Sequence, residues 1–533
     1  MNIIVQDVSY NHPDKELLFK DIRFTVGKNQ KVGLTGNNGS GKSTLLRIIA
    51  GNLSPAGGEV ICSSLPYHVP QHFGQYNRHT VAEALGIDRK LAALQAILEG
   101  DVSAENLAAL NEDWNVEGKS LGALALWGLE HISLSQPMDT LSGGEKTKVF
   151  LAGIQIYEPD IVLMDEPTNH LDVWSRKKLY SFIESARQTL LIVSHDITLL
   201  NTLPFIYELS ENEVKVYGGN YHFYKEQKEL QAGAMQASLD EKEKELRKAK
   251  KIAREVAERR QKDTARGKKQ ALKKGLPRIV INQLGSKAEN TTSKLKEIHT
   301  GKADSLKEDI KQLQNSIPDN QLMKLNLNAS SLHTGKTLLT AKDINFNYGE
   351  HTVWPHPLSF RIKSEDRLSV KGRNGSGKTT LLKIIAGEIE PSIGEIARAG
   401  FRYVYIDQEY AAIENALTVI EQIEKYNLPH RQDHELKTLL NRFLFPHTAW
   451  NKKCEYLSGG EKMRLLLCCL LVSEDTPDMI LLDEPTNNLD IQSSAIITSV
   501  IKNYRGAVLA VSHDLHFLQE INVDKSIDLD NPI

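Results

Sequence analysis

The chain carries GNNGSGKST at 36–44 and GRNGSGKTT at 372–380. Gly36, Asn37, Asn38, Gly39, Ser40, Gly41, Lys42 and Ser43, followed by Thr44, fit the spacing G-x-x-x-x-G-K-[ST]. Gly372, Arg373, Asn374, Gly375, Ser376, Gly377, Lys378 and Thr379, followed by Thr380, fit it again. Residues of these types at this spacing make a phosphate site. The glycines let successive backbone N–H groups face inward onto phosphate oxygens, and the helix that follows adds its positive N-terminal end. Lys42 and Lys378 would reach the β- and γ-phosphates, and Ser43 and Thr379 would ligate Mg2+. The chemistry that suits is phosphoryl transfer from a nucleoside triphosphate.

Transfer to water needs more than a cradle. DEPTNHLD at 165–172 recurs as DEPTNNLD at 483–490. Asp165 and Asp483 close apolar runs, expected beside the glycine-loop strand, where a carboxylate can hold Mg2+ through its water shell. Glu166 and Glu484 follow and are placed to polarise the attacking water, which typically contributes about 10² to 10⁴ in rate. His195 and His513 each stand 29 residues beyond their glutamate and could hydrogen-bond the γ-phosphate. Gln71 and Gln408 lie 29 and 30 residues past the loop lysines, suited to Mg2+ and the attacking water. Tyr10 and Tyr348 precede the loops by 26 and 24 residues and could stack on adenine. Taken singly, a strand-end histidine, a surface glutamine or a strand tyrosine is structural. The matched spacing in two copies argues for function.

LSGGE, at 141–145 and again at 457–461, opens another helix. Ser142, Gly143 and Gly144, and likewise Ser458, Gly459 and Gly460, would offer N–H groups to a second anion. One unit then holds two phosphate-binding ends far apart in sequence. Two units packed head to tail can sandwich a nucleotide between one unit's glycine loop and the other's LSGGE.

The elements that must hold these groups are repeated too. Glycine loop, LSGGE, Asp-Glu pair and VSHD recur in the same order at offsets of 336, 316, 318 and 318. The first copy therefore has 20 extra residues between its loop and its LSGGE, a tandem duplication with one short insertion. KVGLTG and RLSVKG read as strands entering the loops. STLLRIIAG and TTLLKIIAG read as helices ending at Gly51 and Gly387. DIVLMD, DMILLD, TLLIVS and AVLAVS are unbroken apolar runs, the pattern of strands buried on both faces of a parallel sheet.

Between the copies the composition changes. Residues 242–280 hold 16 Lys and Arg against 5 Asp and Glu, a net of +11 in a chain whose total is −3. Leu239, Leu246 and Ala253 recur every seven positions, a narrow helical seam. Gly267, Gly275, Pro277 and Gly285 are expected to break it. Helical spacing resumes at Leu295, Ile298, Leu306, Ile310, Leu313 and Ile317. The expectation is two antiparallel helices joined by an irregular basic tip, the first spanning 236–266 and roughly 45 Å long. The N-terminus lacks a basic and apolar leader, so no signal peptide is expected. The longest apolar run, LLLCCLLV at 465–472, is too short to span a bilayer. Cys62, Cys454, Cys468 and Cys469 show no CxxC spacing, which argues against structural zinc and fits a reducing cytoplasm.

These motifs, in this order, resemble the ATP-binding cassette proteins. Tandem cassettes without membrane spans, DEPTNHLD in the first of them, a charged helical insert and GGNYHFYKEQKE at 218–229 look like the ABC-F group. The resemblance implies an α/β fold: two tandem P-loop NTPase domains, 1–225 and 334–533, joined by an α-helical hairpin linker over 226–333. It implies a monomeric ATPase using ATP and Mg2+ at two sites built jointly by the cassettes. One would combine Lys42, Asp165, Glu166 and His195 with Ser458 and Gly460; the other, Lys378, Asp483, Glu484 and His513 with Ser142 and Gly144. It further implies a cytoplasmic protein that enters the tRNA exit site of the ribosome and contacts rRNA and tRNA through the basic linker. Such a protein regulates translation or protects ribosomes from antibiotics. His170 is replaced by Asn488 in the second copy, and the 20 extra residues are too few for the long arm some members insert there. The alternative is the ATPase subunit of a membrane transporter, which a polar insert between the cassettes disfavours. A cassette-type DNA-repair ATPase is disfavoured by the missing zinc motifs and the short hairpin.

Overall fold

A computed structural model describes residues 2–11, 17–273, 301, 304–311, 332–333, 335–428, 430–473, 476–487 and 489–530. The chain divides into two compact units. Met1–Phe223 and Leu322–Ile533 form one, and Tyr224–Gln321 the other. Both cassettes lie in the first unit.

Each cassette has two layers of sheet. In the first, β1 (Ile3–Asn11) lies antiparallel between β2 (Leu17–Val26) and β4 (Gly57–Cys62), with Ile3 opposite both Val26 and Cys62. Behind it, β3 (Lys31–Thr35), β5 (Tyr67–Val69), β6 (Ile161–Asp165), β7 (Thr189–Val193), β8 (Phe205–Leu209) and β9 (Val214–Tyr217) form a sheet in the order β5-β6-β7-β3-β8-β9. All its pairs are parallel except β8–β9. Every residue of β6 and β7 is buried, which is why they read as unbroken apolar runs. The helix after the glycine loop, α1 (Lys42–Ile49), inserts Leu45, Leu46, Ile48 and Ile49 into a core shared with Val32, Leu34, Leu163 and Leu191. Full burial of each such side chain is worth about 1.5–3 kcal/mol.

One expectation is corrected here. Asp165 does not end the strand beside the glycine-loop strand, because β7 lies between β6 and β3, and Asp483 is likewise one strand removed in the second cassette. Strands of a parallel sheet are joined by crossovers, so chain order and apolarity do not specify which neighbours pair. The interposed strand ends in Val193, two residues before His195, so the turn carrying the histidine leaves the sheet between the glycine-loop strand and the carboxylate strand.

A helical layer follows β5: α2 (Val81–Leu85), α3 (Asp88–Leu98), α4 (Ala104–Leu110), α5 (Val116–Leu126) and α6 (Gly143–Tyr157). The 20 extra residues fall in this stretch, where α3 and α4 pack against each other. Two more helices, α7 (Val173–Ser185) and α8 (Ile197–Thr202), follow β6 and β7.

The linker helix α9 (Tyr221–Lys273) runs 53 residues, roughly 80 Å at 1.5 Å per residue. It passes through Gly267, where a break was expected. A single helical glycine costs only about 1 kcal/mol relative to alanine, and strong helix formers flank it here. Leu239, Leu306 and Ile310 are buried, and Lys242 pairs with Asp309 at 2.5 Å. Gly275, Pro277, Gly285, Leu295, Ile298, Leu313, Ile317 and the tip beyond Lys273 lie outside the described residues, as does Asn488.

The second cassette repeats the plan. Its antiparallel sheet is β10 (Thr337–Asn345) between β13 (Leu358–Lys363) and β15 (Ile393–Arg398); β11 (Asn347–Tyr348) and β12 (His351–Thr352) form a small hairpin. Its parallel sheet contains β14 (Arg367–Lys371), β16 (Tyr403–Ile406), β17 (Met479–Asp483), β18 (Ala507–Val511) and β19 (Lys525–Asp528), in the order β16-β17-β18-β14-β19. The helices are α10 (Lys378–Ala386), α11 (Val419–Lys425), α12 (Asp433–Arg442), α13 (Gly459–Val472), α14 (Ile491–Asn503) and α15 (Leu515–Glu520). LLLCCLLV lies within α13, with all but Leu471 buried. Among the described residues no helix is long and apolar enough to cross a membrane.

Candidate nucleotide sites

Each glycine loop enters its helix through a left-handed glycine, Gly41 (φ 90°) before α1 and Gly377 (φ 86°) before α10. A Cβ at Gly41 would come within 2.8 Å of the Phe19 ring, and one at Gly377 within 2.3 Å of Val353. Glycine is needed for conformation and for space. Lys42 Nζ donates to the carbonyls of Gly36 and Asn37 at 2.8 and 3.0 Å; Lys378 Nζ donates to those of Gly372 and Arg373 at 3.0 and 2.9 Å. Burial lowers the pKa of both lysines, opposed chiefly by Glu166 for Lys42 and Glu484 for Lys378.

The carboxylates sit at the ends of β6 and β17. Burial pushes Asp165 and Asp483 up, while Ser43 opposes this at the first and Thr379 at the second. Thr379 Oγ1 donates to Asp483 Oδ2 at 2.9 Å, and Tyr405 Oη donates to the same oxygen at 3.1 Å. Glu166 and Glu484 adopt left-handed backbone, φ 49° and 50°, costly for a non-glycine residue. Each is held there by its own N–H, donating to Val193 O or Val511 O at 2.9 Å. Glu166 Oε2 accepts from His195 N at 3.2 Å, and Glu484 Oε2 from His513 N at 3.3 Å. The imidazoles reach the other carboxylate oxygen, Nε2 to Oε1, at 3.4 and 3.2 Å. Burial, reinforced by Asp165, pushes Glu166 up to about 8; burial pushes Glu484 up to about 7. Burial and the loop lysines lower His195 to about 4 and His513 to about 3. The imidazoles are therefore neutral at pH 7.

The two cavities differ. The second is lined by Lys378, Thr379, Gln408, Asp483, Glu484 and His513, and across the seam by Ser142, Gly143, Gly144 and His170 of the first cassette. Asn374 Nδ2 donates to His170 O at 2.9 Å. A Cβ on Gly144 would come within 2.6 Å of that carbonyl and 3.1 Å of Asn374 Nδ2. The first cavity is lined by Lys42, Ser43, Gln71, Glu166 and His195, with Thr486, Asn487, Leu489 and Ser494 from the second cassette. Ser458, Gly459 and Gly460 do not line it. They open α13 as expected, with Ser458 Oγ accepting from Glu461 N at 3.3 Å and Glu461 Oε2 accepting from Ser458 N at 2.7 Å. Ser142 and Glu145 make the same capping box at α6.

The tyrosines stand outside these linings. Tyr10 packs its ring 6.3 Å from that of Phe19, and Tyr348, 59% exposed, meets Thr380 Oγ1 at 3.2 Å. His170, Asn487, Asp196 and Asp514 lie within the repeated motifs but were given no role at the seam, and Arg176 lies outside them. The recurrence of VSHD in both copies was the available signal for Asp196 and Asp514.

Buried polar atoms test the fit to Mg2+ and a nucleotide. Asp165 Oδ1, Glu166 Oε1, Glu484 Oε1 and the hydroxyls of Ser40 and Ser376 are buried with no hydrogen-bond partner among the described residues. No cluster of three or more His, Cys, Asp or Glu that could hold a metal occurs among the described residues. A hydroxyl and one carboxylate per site suit Mg2+ that completes its shell with water and substrate phosphates.

The family described as ABC transporter matches residues 19–169 and 355–487. The ABC transporter ATP-binding protein YkpA of Bacillus subtilis is 30% identical over 97% of this chain and 93% of its own length. ABC transporter F family member 2 of Arabidopsis thaliana is 28% identical over 95% of this chain and 73% of its own length. Among solved structures, the archaeal ribosome recycling factor aABCE1, in complex with the stalk protein aP1, shares the fold. Its TM-score is 0.59 at 18% identity, covering 98% of this chain and 87% of its own.

Proposed function

The chain belongs to the ATP-binding cassette family, in its ABC-F group, and from that membership we propose that it hydrolyses ATP at two sites shared between its cassettes and uses the closure to act on the ribosome. The observation that carries the catalytic half is the second cavity, where Ser142 and Gly144 of one cassette line the same space as Lys378 and Glu484 of the other.

The glycine-loop N–H groups and Lys42 or Lys378 hold the β- and γ-phosphates. Ser142 and Gly144 close on the triphosphate from the far side. Glu166 or Glu484, in the ionised form that the loop lysine favours against burial, accepts a proton from water as the water oxygen bonds to the γ-phosphorus and the bond to the bridging oxygen breaks, leaving ADP and phosphate. The backbone N–H groups of His195 and His513 hold the glutamates, and the neutral imidazoles add no charge beside the lysines. When bound through Ser43, Gln71 and Asp165, or Thr379, Gln408 and Asp483, Mg2+ neutralises charge on the phosphate oxygens.

The ribosomal half is supported by group membership and by the +11 charge of residues 242–280, which suits an RNA backbone read by shape and phosphate contacts. The likeness to aABCE1 carries the fold alone. The reading places the protein in the cytoplasm, in the tRNA exit site, as a translation factor or an antibiotic-protection factor. Glu166→Gln with Glu484→Gln is expected to trap ATP, co-sediment with ribosomes in sucrose gradients and halt translation. Sedimentation alone in the presence of ATP would overturn the ribosomal half, and undiminished ATP turnover the catalytic half. A panel of large-subunit drugs in a sensitive host separates protection from housekeeping.

A further inference from the structure

The two histidine turns of the first unit lead into α8 and α15, and these short helices pack against each other across the seam. Each is capped by the aspartate after its histidine. Asp196 Oδ1 accepts from Leu199 N at 3.1 Å, and Asp514 Oδ1 accepts from Phe517 N at 3.0 Å. Their packing places two carboxylates of opposite cassettes near one another. Burial pushes Asp514 up, Asp196 pushes it further, and Arg176 opposes both.

Arg176, on α7, is 8% exposed. Its Nε donates to Leu171 O at 3.1 Å, and its Nη1 donates to Asp196 Oδ2 at 3.5 Å. The same oxygen accepts from Tyr180 Oη at 2.6 Å. Arg176 lines the first cavity together with Lys42 and Glu166, and it also lines a small cleft with His513 and Asp514. The duplication does not supply a second copy. Four residues past Asp172 stands Arg176; four past Asp490 stands Ser494, which lines the first cavity without a charge. One cation thus serves a pair of acids that the repeat would otherwise leave facing each other. Removing one partner of such a buried set costs far more than an exposed ion pair, because a charge is left desolvated.

We propose that Arg176 is a positioning residue coupling the two ATP sites: anchored to Asp196 in its own cassette and facing Asp514 and His513 of the other, it sets both histidine turns together when the seam closes. The inference rests on the shared-site ATPase reading. It adds that a residue of the first cassette governs turnover at Glu484.

The test uses the full chain and single-turnover hydrolysis of bound ATP, with Glu166→Gln isolating the second site and Glu484→Gln the first. Arg176→Gln is expected to slow the second site about tenfold, within the usual range of coupling between sites, with ATP affinity changed by no more than about twofold. Arg176→Lys should recover most of the rate. Because Arg176→Gln can also loosen the fold, the cation is relocated in Arg176→Ser with Ser494→Arg, and thermal melting is followed in parallel. Recovery of second-site turnover by the relocated arginine supports the coupling. A folded Arg176→Gln chain that slows only the first site, or a folded relocation variant that recovers nothing, overturns it. A parent chain with no ATP turnover at all would sink the ATPase reading, and this inference with it; normal parent turnover with an indifferent second site would sink the inference alone.

Discussion

Asn374 Nδ2 donates to the carbonyl of His170 at 2.9 Å, joining the glycine loop of the second cassette to the turn after the first cassette's Asp-Glu pair. His170 is left-handed, φ 62°, and that conformation directs its carbonyl across the seam. Gly144 lies under the same contact. The cassettes thus meet backbone to side chain, and the meeting tolerates no added methyl group.

Gly144→Ala should therefore wedge the second cavity open. Its Cβ would stand 2.6 Å from His170 O, a backbone atom of its own cassette that cannot rotate away, and 3.1 Å from Asn374 Nδ2 across the seam, in the space of the contact that joins the two. Gly460→Ala meets only Ser493 Oγ at 3.3 Å and Leu489 at 3.5 Å, within its own cassette. Single-turnover hydrolysis at the second site, isolated by Glu166→Gln, is expected to fall at least about tenfold for Gly144→Ala, the effect of roughly 1.4 kcal/mol on the barrier, and hydrolysis at the first site, isolated by Glu484→Gln, much less for Gly460→Ala. Equal losses would count against the asymmetry.

The glycine loops, the apolar strands and the Ser-x-x-Glu caps could be read from the chain because each depends on neighbours a few residues apart. Gly41, Lys42 and Ser43 need only a strand before them and a helix after. The order of the strands could not be read, so Asp165 was assigned one strand too close to the glycine loop. The passage of α9 through Gly267 was missed for a different reason: a local breaker was overruled by the helix formers on both sides. The seam was hidden most completely. Arg176 looks like any surface arginine of an amphipathic helix, and the contact of His170 with Asn374 joins residues 204 positions apart through a carbonyl that carries no side-chain signature.

Trp354 supports the second glycine loop. It is 1% exposed, and its Nε1 donates to Ser376 O at 3.1 Å. Trp354→Phe keeps most of the volume and loses that bond, a cost of about 1 kcal/mol. It should weaken ATP binding at the second site, read by titration in a Glu166→Gln background. Trp354→Ala adds a cavity and should cost about 3–5 kcal/mol in urea unfolding.

The charge of α9 should govern attachment to ribosomes. Arg247, Lys248 and Lys250 are exposed along it. Changing all three to Gln removes three counterion-releasing contacts if each meets a phosphate. The slope of log affinity against log salt should then flatten by about 2 to 3. Co-sedimentation across a salt series measures it. An unchanged slope would place the RNA contact elsewhere.

His68 gives the stability of the first cassette a pH dependence. It lies on β5 at the position that Tyr405 occupies on β16, each three residues before its glutamine. Tyr405 finds Asp483 as a partner, whereas His68 Nε2 is buried with none among the described residues. Burial, with a smaller contribution from Arg47, lowers His68 from 6.5 to about 4. The unfolded chain takes up this proton near pH 6.5 and the folded chain only near 4. The contribution is therefore fully present above pH 6.5 and drains away as the pH falls toward 4. At about 1.4 kcal/mol per unit, the loss is no more than about 3.5 kcal/mol. Urea midpoints taken between pH 7 and 4.5 should fall more steeply for the parent chain than for His68→Gln, which has no proton to gain. Parallel curves for the two proteins would show that His68 is already solvated in the folded state.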